Sequence, residues 1–193
     1  MKINEKLLNV VEIIENSYAN GPGLRSVIWF QGCNLHCNGC YNEDFWPFVQ
    51  KNLFTPKELV SKIVQNKNIE GISLTGGEPL LQYRALLNFL KLIKKEGLSV
   101  ICFTGFNFNE VGKSRMKEIL DYIDIIITGP YIEELRTKKI PLVSSSNQEL
   151  IFLTKIYSNK DLKDEEVVEF FISDKEIQIT GFPTKRFLKE VLF

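Results

Sequence analysis

Short runs rich in β-branched or aromatic residues recur along the chain at 8–14, 25–31, 71–74, 99–103, 124–127 and 149–153, each bounded by turn residues. The pattern predicts a strand at each. Most of these runs are apolar on both faces, as strands buried in a parallel sheet are. Helical patterns lie between them. Thr55-Pro56-Lys57-Glu58 is a capping box with proline at the first helical position, and Leu59, Val60, Ile63 and Val64 then form an apolar stripe. Pro79 opens a second helix with Leu80, Leu87, Leu90 and Lys94 on one side, and Gly97 stands where its C-terminal stop is expected. Met116, Ile119, Leu120 and Ile123 give a third pattern, just before the strand at Asp124.

Alternating strands and helices point to βα units on a parallel sheet, an α/β protein. A unit takes ~30 residues, so the chain allows about six, short of the eight strands of a closed barrel. The fold expected is therefore a partial, open barrel of the (β/α)6 type. The tail reads differently: 167–173 and 176–180 flank Asp174-Lys175 as a β-hairpin, and a last helix is expected over 184–192. No repeat or linker interrupts the chain. It reads as a single domain over 1–193, with 155–193 as a C-terminal extension.

Composition narrows the function classes. The 193 residues are 44% hydrophobic and 25% charged, near the globular average, which excludes disorder, collagen and coiled coil. Lys+Arg and Asp+Glu are both 24, so no net charge generates the broad basic field of a nucleic-acid binder. No run approaches the ~20 apolar residues of a membrane span, and the N-terminal residues lack the pattern of a secretory signal. The expected location is the cytoplasm.

The chemistry concentrates in one loop. Cys33, Cys37 and Cys40 are spaced C-x3-C-x2-C directly after the strand that ends near Gln31, and soft thiolates at such intervals suit iron–sulfur or zinc. Structural zinc wants four protein ligands. The remaining thiol, Cys102, lies in an apolar strand far along the chain, and His36 directly precedes Cys37, a strained place for a second ligand. Three thiolates on a cubane cluster leave one iron without a protein ligand.

Gly32-Cys33-Asn34-Leu35-His36-Cys37-Asn38-Gly39-Cys40-Tyr41-Asn42 resembles the cluster loop of radical S-adenosylmethionine (SAM) enzymes, most closely the anaerobic ribonucleoside-triphosphate reductase-activating proteins. The resemblance runs from about Asn20 to Thr154. It implies that Cys33, Cys37 and Cys40 hold a [4Fe-4S] cluster whose fourth iron is chelated by SAM. Asn20-Gly21-Pro22-Gly23-Leu24-Arg25 resembles the segment leading into the first barrel strand of glycyl-radical-enzyme activases; a purely structural turn is an equal reading.

Thr75-Gly76-Gly77-Glu78-Pro79 joins a strand to a helix, where free backbone N–H groups and glycine clearance admit a polar ligand. In the resembled family this segment binds the SAM amino group, a role that passes to Gly76, Gly77 and Glu78. Thr104 takes the position near the ribose or methionine part of SAM, or else simply closes a turn. Tyr41, with Gly39 and Cys40, takes the positions along the adenine. Gly39 departs from the broad superfamily, which often has an aromatic residue there. The segments 124–135 and 145–148 resemble the later strand and loops that face SAM or substrate. Gly112-Lys113-Ser114 ends like a phosphate loop, but Asn107 stands where that motif needs glycine, which excludes the reading.

The resemblance implies reductive cleavage of SAM to a 5′-deoxyadenosyl radical, which takes the α-hydrogen of a glycine on the large subunit of anaerobic ribonucleotide reductase. The electron comes from a donor such as flavodoxin or ferredoxin. No side chain need act as acid, base or nucleophile, in keeping with a chain that has one histidine. Two alternatives stay open: a radical SAM enzyme modifying a small molecule or peptide, and an iron–sulfur or zinc module that never cleaves SAM.

Overall fold

The computed structural model describes residues 6–162, 167–172 and 177–181. Seven strands form one sheet: β1 (Leu8–Ser17), β2 (Arg25–Phe30), β3 (Asn52–Phe54), β4 (Gly71–Gly76), β5 (Ser99–Phe103), β6 (Ile125–Thr128) and β7 (Glu149–Phe152). Their spatial order is β3-β1-β2-β4-β5-β6-β7. The four central strands β2, β4, β5 and β6 are parallel neighbours. The flanks are not: β1 runs antiparallel to β2 and to β3, and β7 antiparallel to β6. Parallel βα units thus account for four strands rather than six. Residues 18–24 are too few for the crossover a parallel partner requires, so β1 folds back on β2 as a hairpin. Strand β3 was not expected from the sequence; three residues are too few to show a period.

Helix α1 (Pro56–Ile63) begins as the capping box dictates. Thr55 Oγ1 accepts from the Glu58 N–H, and Glu58 Oε2 accepts from the Thr55 N–H at 2.7 Å. A 3-10 turn at Pro79–Gln82 continues into α2 (Tyr83–Lys95), which ends before Gly97 at φ +78°. Helix α3 (Phe108–Lys113), capped by Asn107 and Glu110, occupies the rejected phosphate-loop decoy. The third helical pattern becomes a 3-10 segment, Lys117–Tyr122. Its apolar pairs Met116/Ile119 and Leu120/Ile123 are spaced by three, the 3-10 repeat.

Side chains alternate across the central strands and define two faces. Ile28, Phe30, Ile72, Leu74, Val100, Cys102 and Ile126 pack against α1 and α2 in the main core. On the other face Ile101, Ile125 and Ile127 pack with Val143. Lys94, at the end of α2, pairs with the fully buried Asp124 at 2.8 Å, and Asp124 also accepts from the Val100 N–H and the Thr154 hydroxyl.

The expected tail hairpin is present: β8 (Val168–Ile172) pairs antiparallel with β9 (Ile177–Gly181). The helix expected over 184–192 lies outside the described residues.

Arg25, at the start of β2, is completely buried. Its guanidinium donates to the Pro22, Ile72 and Ser99 carbonyls and to the hydroxyls of Ser73, Ser99 and Tyr157. The Gly21-Pro22-Gly23 turn therefore closes on an arginine that also ties β4, β5 and the start of the C-terminal extension. This is the structural reading of that segment. Replacing Arg25 with Met removes its hydrogen bonds to three carbonyls and three hydroxyls, and hydrogen bonds to a charged group contribute about 1.5–3 kcal/mol each. We expect Arg25→Met to lower urea-unfolding stability by about 3 kcal/mol or more, whereas a loss near zero would show that the acceptors find other partners.

Candidate active site

The C-terminal ends of the parallel strands converge on one cavity of about 630 Å³. Its lining brings together Cys33, Cys37, Cys40, Tyr41, Gly76, Gly77, Glu78 and Thr104, every predicted site residue except Gly39. The two segments that build it meet through main chain. Gly77 N–H donates to the Phe30 carbonyl at 2.8 Å, and Glu78 N–H to the Gly32 carbonyl at 2.9 Å. A Cβ on Gly76 would lie 2.4 Å from Phe30 N, and one on Gly77 2.5 Å from the Gly32 carbonyl oxygen. Both contacts are with backbone, which cannot swing aside, so the glycine pair is required for close packing. The expectation of free N–H groups at Gly77 and Glu78 is corrected accordingly: the adjoining strand exit takes them.

Around the cysteines the loop is held at both ends. Gly32 N–H donates to the Phe45 carbonyl and Cys33 N–H to that of Trp46, while Cys40 N–H closes on Cys37. Asn42 N–H points at Cys40 Sγ at 3.4 Å, and the Asn42 amide donates to the Gly76 carbonyl. Burial pushes the Cys33 and Cys37 thiols up, against backbone N–H donors from Leu35 and His36 at Cys33 and from Tyr131 at Cys37. A bound cation reverses that balance, because metal ligation requires the thiolate.

No three His, Cys, Asp or Glu side chains among the described residues converge on one ion-sized point. The three thiols share a cavity wall instead, an arrangement suited to a multi-iron cluster whose irons are themselves separated. Cys102 is fully buried on the opposite face of β5, among the residues that meet the helices. Its thiol is pushed well up by desolvation, the state of an inert core residue. His36 is exposed and packs on Trp46, with ring centroids 4.8 Å apart.

Glu78 is 1% exposed. Its Oε1 accepts from the Leu80 N–H at 2.9 Å and from the Thr104 hydroxyl at 2.8 Å, and its Oε2 from the Gly105 N–H at 2.8 Å. The carboxylate thus caps the 3-10 turn and clamps the exit of β5 to the exit of β4. Thr104 Oγ1 also accepts from the Phe106 N–H, so this hydroxyl closes a turn as well as lining the cavity.

The cavity rim includes residues that sequence reasoning missed. Arg136, from the β6–β7 connection, donates to the Tyr41 hydroxyl and lies 5.3 Å from its ring centroid. Tyr131, within the 124–135 segment expected to face SAM or substrate, packs near Tyr41 at 6.3 Å. The same connection lies beside Gly39, which has φ +76° and whose Cβ would stand 2.3 Å from a Glu133 carboxylate oxygen. Trp29, Ile177 and Ile179 also line the cavity. Nothing local in the sequence assigns Arg136, Trp29, Ile177 or Ile179 to this cavity, because elements distant in the chain bring them in.

Desolvation raises the Glu78 carboxyl to about 7, outweighing the pull of its three donors. The folded state therefore takes up a proton between pH ~4.5 and ~7, and the contribution of Glu78 to stability is full below that window and falls as pH rises through it. We expect the cluster-free protein to lose denaturant stability from pH 5 to pH 7.5, and Glu78→Gln to flatten that decline. An unchanged slope in the variant would assign the pH dependence to other groups.

Known proteins resemble this chain over much of its length. Residues 19–151 match the model of a family described as a 4Fe-4S single cluster domain. The anaerobic ribonucleoside-triphosphate reductase-activating protein of Enterobacteria phage T4 is 35% identical over 161 residues, covering 80% of this chain and 96% of that protein. Its Haemophilus influenzae counterpart is 29% identical over 73% of this chain and 96% of its own. The pyruvate formate-lyase-activating enzyme of Clostridium pasteurianum is 34% identical over 56% of this chain and 46% of its own. The crystal structure of QueE from Escherichia coli superposes with a TM-score of 0.44 and 20% identity over 51% of this chain and 52% of that one. The chain belongs to the family described as a 4Fe-4S single cluster domain and to the anaerobic ribonucleoside-triphosphate reductase-activating protein family.

Proposed function

We propose that this protein binds a [4Fe-4S] cluster through Cys33, Cys37 and Cys40, binds SAM in the adjoining cavity, and generates a glycyl radical on the large subunit of an anaerobic ribonucleotide reductase. The observation that carries the proposal is the meeting of three loop thiols with the Gly76–Gly77–Glu78 turn and Thr104 around one cavity. The reductase-activating relatives supply the substrate class. The open (β/α)6-type barrel of the radical SAM enzymes is the architecture this reading implies, with the four parallel strands as its centre.

When bound, the cluster and SAM supply one-electron cleavage of the sulfonium to methionine and 5′-deoxyadenosine, with the hydrogen atom taken from a glycine Cα and the electron from an external donor such as flavodoxin or ferredoxin. The protein's own contribution is placement and exclusion of water. Asn42 N–H and the donors on Cys33 and Cys37 favour the thiolates that ligation needs. An ammonium group is a donor, so in the Gly76–Gly77 turn it needs carbonyl oxygens, and the N–H groups already committed to β2 and the cysteine loop do not compete for them. Glu78 acts as a positioning residue that holds the Thr104–Gly105 exit beside that turn. Tyr41, held by Arg136, presents an aromatic face at the rim for the adenine, beside Gly39 and Cys40.

The test is anaerobic reconstitution with iron and sulfide, reduction with dithionite, and addition of SAM with the reductase large subunit. We expect 5′-deoxyadenosine together with a glycyl EPR doublet on the subunit. Nucleoside formation without the doublet would move the chemistry to a small molecule or peptide, and no SAM cleavage would leave only a metal-binding module.

A further inference from the structure

The C-terminal hairpin has two unlike faces. Glu169 and Thr180 are cross-strand partners and so share one face. The Glu169 carboxylate accepts from the Ser17 hydroxyl at 2.6 Å and from the Tyr18 and Ala19 N–H groups, while the Asn20 amide donates to the Thr180 hydroxyl at 2.7 Å. Ser17, Asn20 and Thr180 are buried. An isolated two-stranded hairpin is marginal in water, so this polar seam at the end of β1 fixes its position.

The other face carries Val168, Phe170 and Ile172 from β8 and Ile177 and Ile179 from β9, with no polar side chain among them. Ile177, Ile179 and Gly181 line the cavity that also holds the three cysteines. Outward from the cavity, Ile172 is 77% exposed and its cross-strand partner Ile177 52% exposed. The apolar surface is therefore continuous from the cavity wall to solvent, the form of surface that a partner covers.

We propose that this hairpin face is the docking wall for the protein substrate, receiving apolar side chains of the segment that carries the target glycine into the cavity. The inference rests on the activase reading above, and continuity with the cavity selects the occupant. A hydrogen atom is taken only from a carbon placed inside the cavity, so a glycine that belongs to a folded protein must enter on a length of chain. That chain must cross the rim, where the exposed Ile172–Ile177 pair lies. Among the described residues this face offers only apolar side chains, so it is apolar side chains of the entering segment that it covers.

The test uses full-length, reconstituted protein with the purified reductase large subunit. Ile172→Glu and Ile177→Glu each place a charge at an exposed position that does not disturb the Glu169–Thr180 seam. Iron per chain and melting temperature serve as folding controls. We expect each variant to raise the subunit concentration that gives half-maximal glycyl radical by about tenfold or more, the equivalent of ~1.4 kcal/mol of lost docking. Hydrogen exchange at 168–172 and 177–181 should slow when the subunit is added to the wild-type protein. A radical formed with unchanged half-saturation in both variants overturns the docking wall and leaves the activase reading standing. Segments already protected in the isolated protein and unchanged by the subunit overturn it too. No radical with the wild-type protein removes the activase reading itself.

Discussion

The site depends on a junction of strand exits organised by Glu78. Its backbone N–H reaches the Gly32 carbonyl at the exit of β2, its own position is the exit of β4, and its carboxylate holds Thr104 and Gly105 at the exit of β5. A carboxylate this deeply buried is costly and is retained only where its hydrogen bonds are made. The result is one rigid shelf from three separate segments. Strand β2 delivers the cysteine loop to that shelf and β4 delivers the glycine pair, so the ligands for a cluster and the space for its partner molecule arise from the same packing.

Arg25 plays the corresponding role at the opposite ends of the same strands. It donates to the Pro22, Ile72 and Ser99 carbonyls where β2, β4 and β5 begin, and through Tyr157 it reaches the C-terminal extension. A buried, hydrogen-bonded ionisable group therefore sits at each end of the parallel core, with apolar alternation between them. The hairpin adds a wall on the cavity side through Glu169 and Thr180, as a separate two-stranded sheet.

Much of this was legible in the sequence. The six strand runs, the Thr55 capping box, the tail hairpin and the C-x3-C-x2-C loop are local patterns, and local patterns survive folding. The strand direction at the sheet edges was not legible, because an apolar run such as 149–153 looks the same whether it pairs parallel or antiparallel. The state of Glu78 was not legible either: spacing placed it at the site, but only packing shows that its carboxylate faces protein donors. Gly39 is explained by its backbone, at φ +76°, which no local spacing reveals, and Arg136, Trp29 and Ile179 reach the rim from elements with no shared motif. Alternation along β5 does explain Cys102, since a residue that neighbours the cavity-facing Phe103 must face the helices.

The most direct test of the central claim is the iron and sulfide content per chain of anaerobically reconstituted Cys33→Ala, Cys37→Ala, Cys40→Ala and Cys102→Ala. The account predicts that the first three lose the cluster and that Cys102→Ala keeps it at the wild-type level. An equal loss in Cys102→Ala, or full retention in any of the other three, would contradict a cluster held by three thiols of one loop.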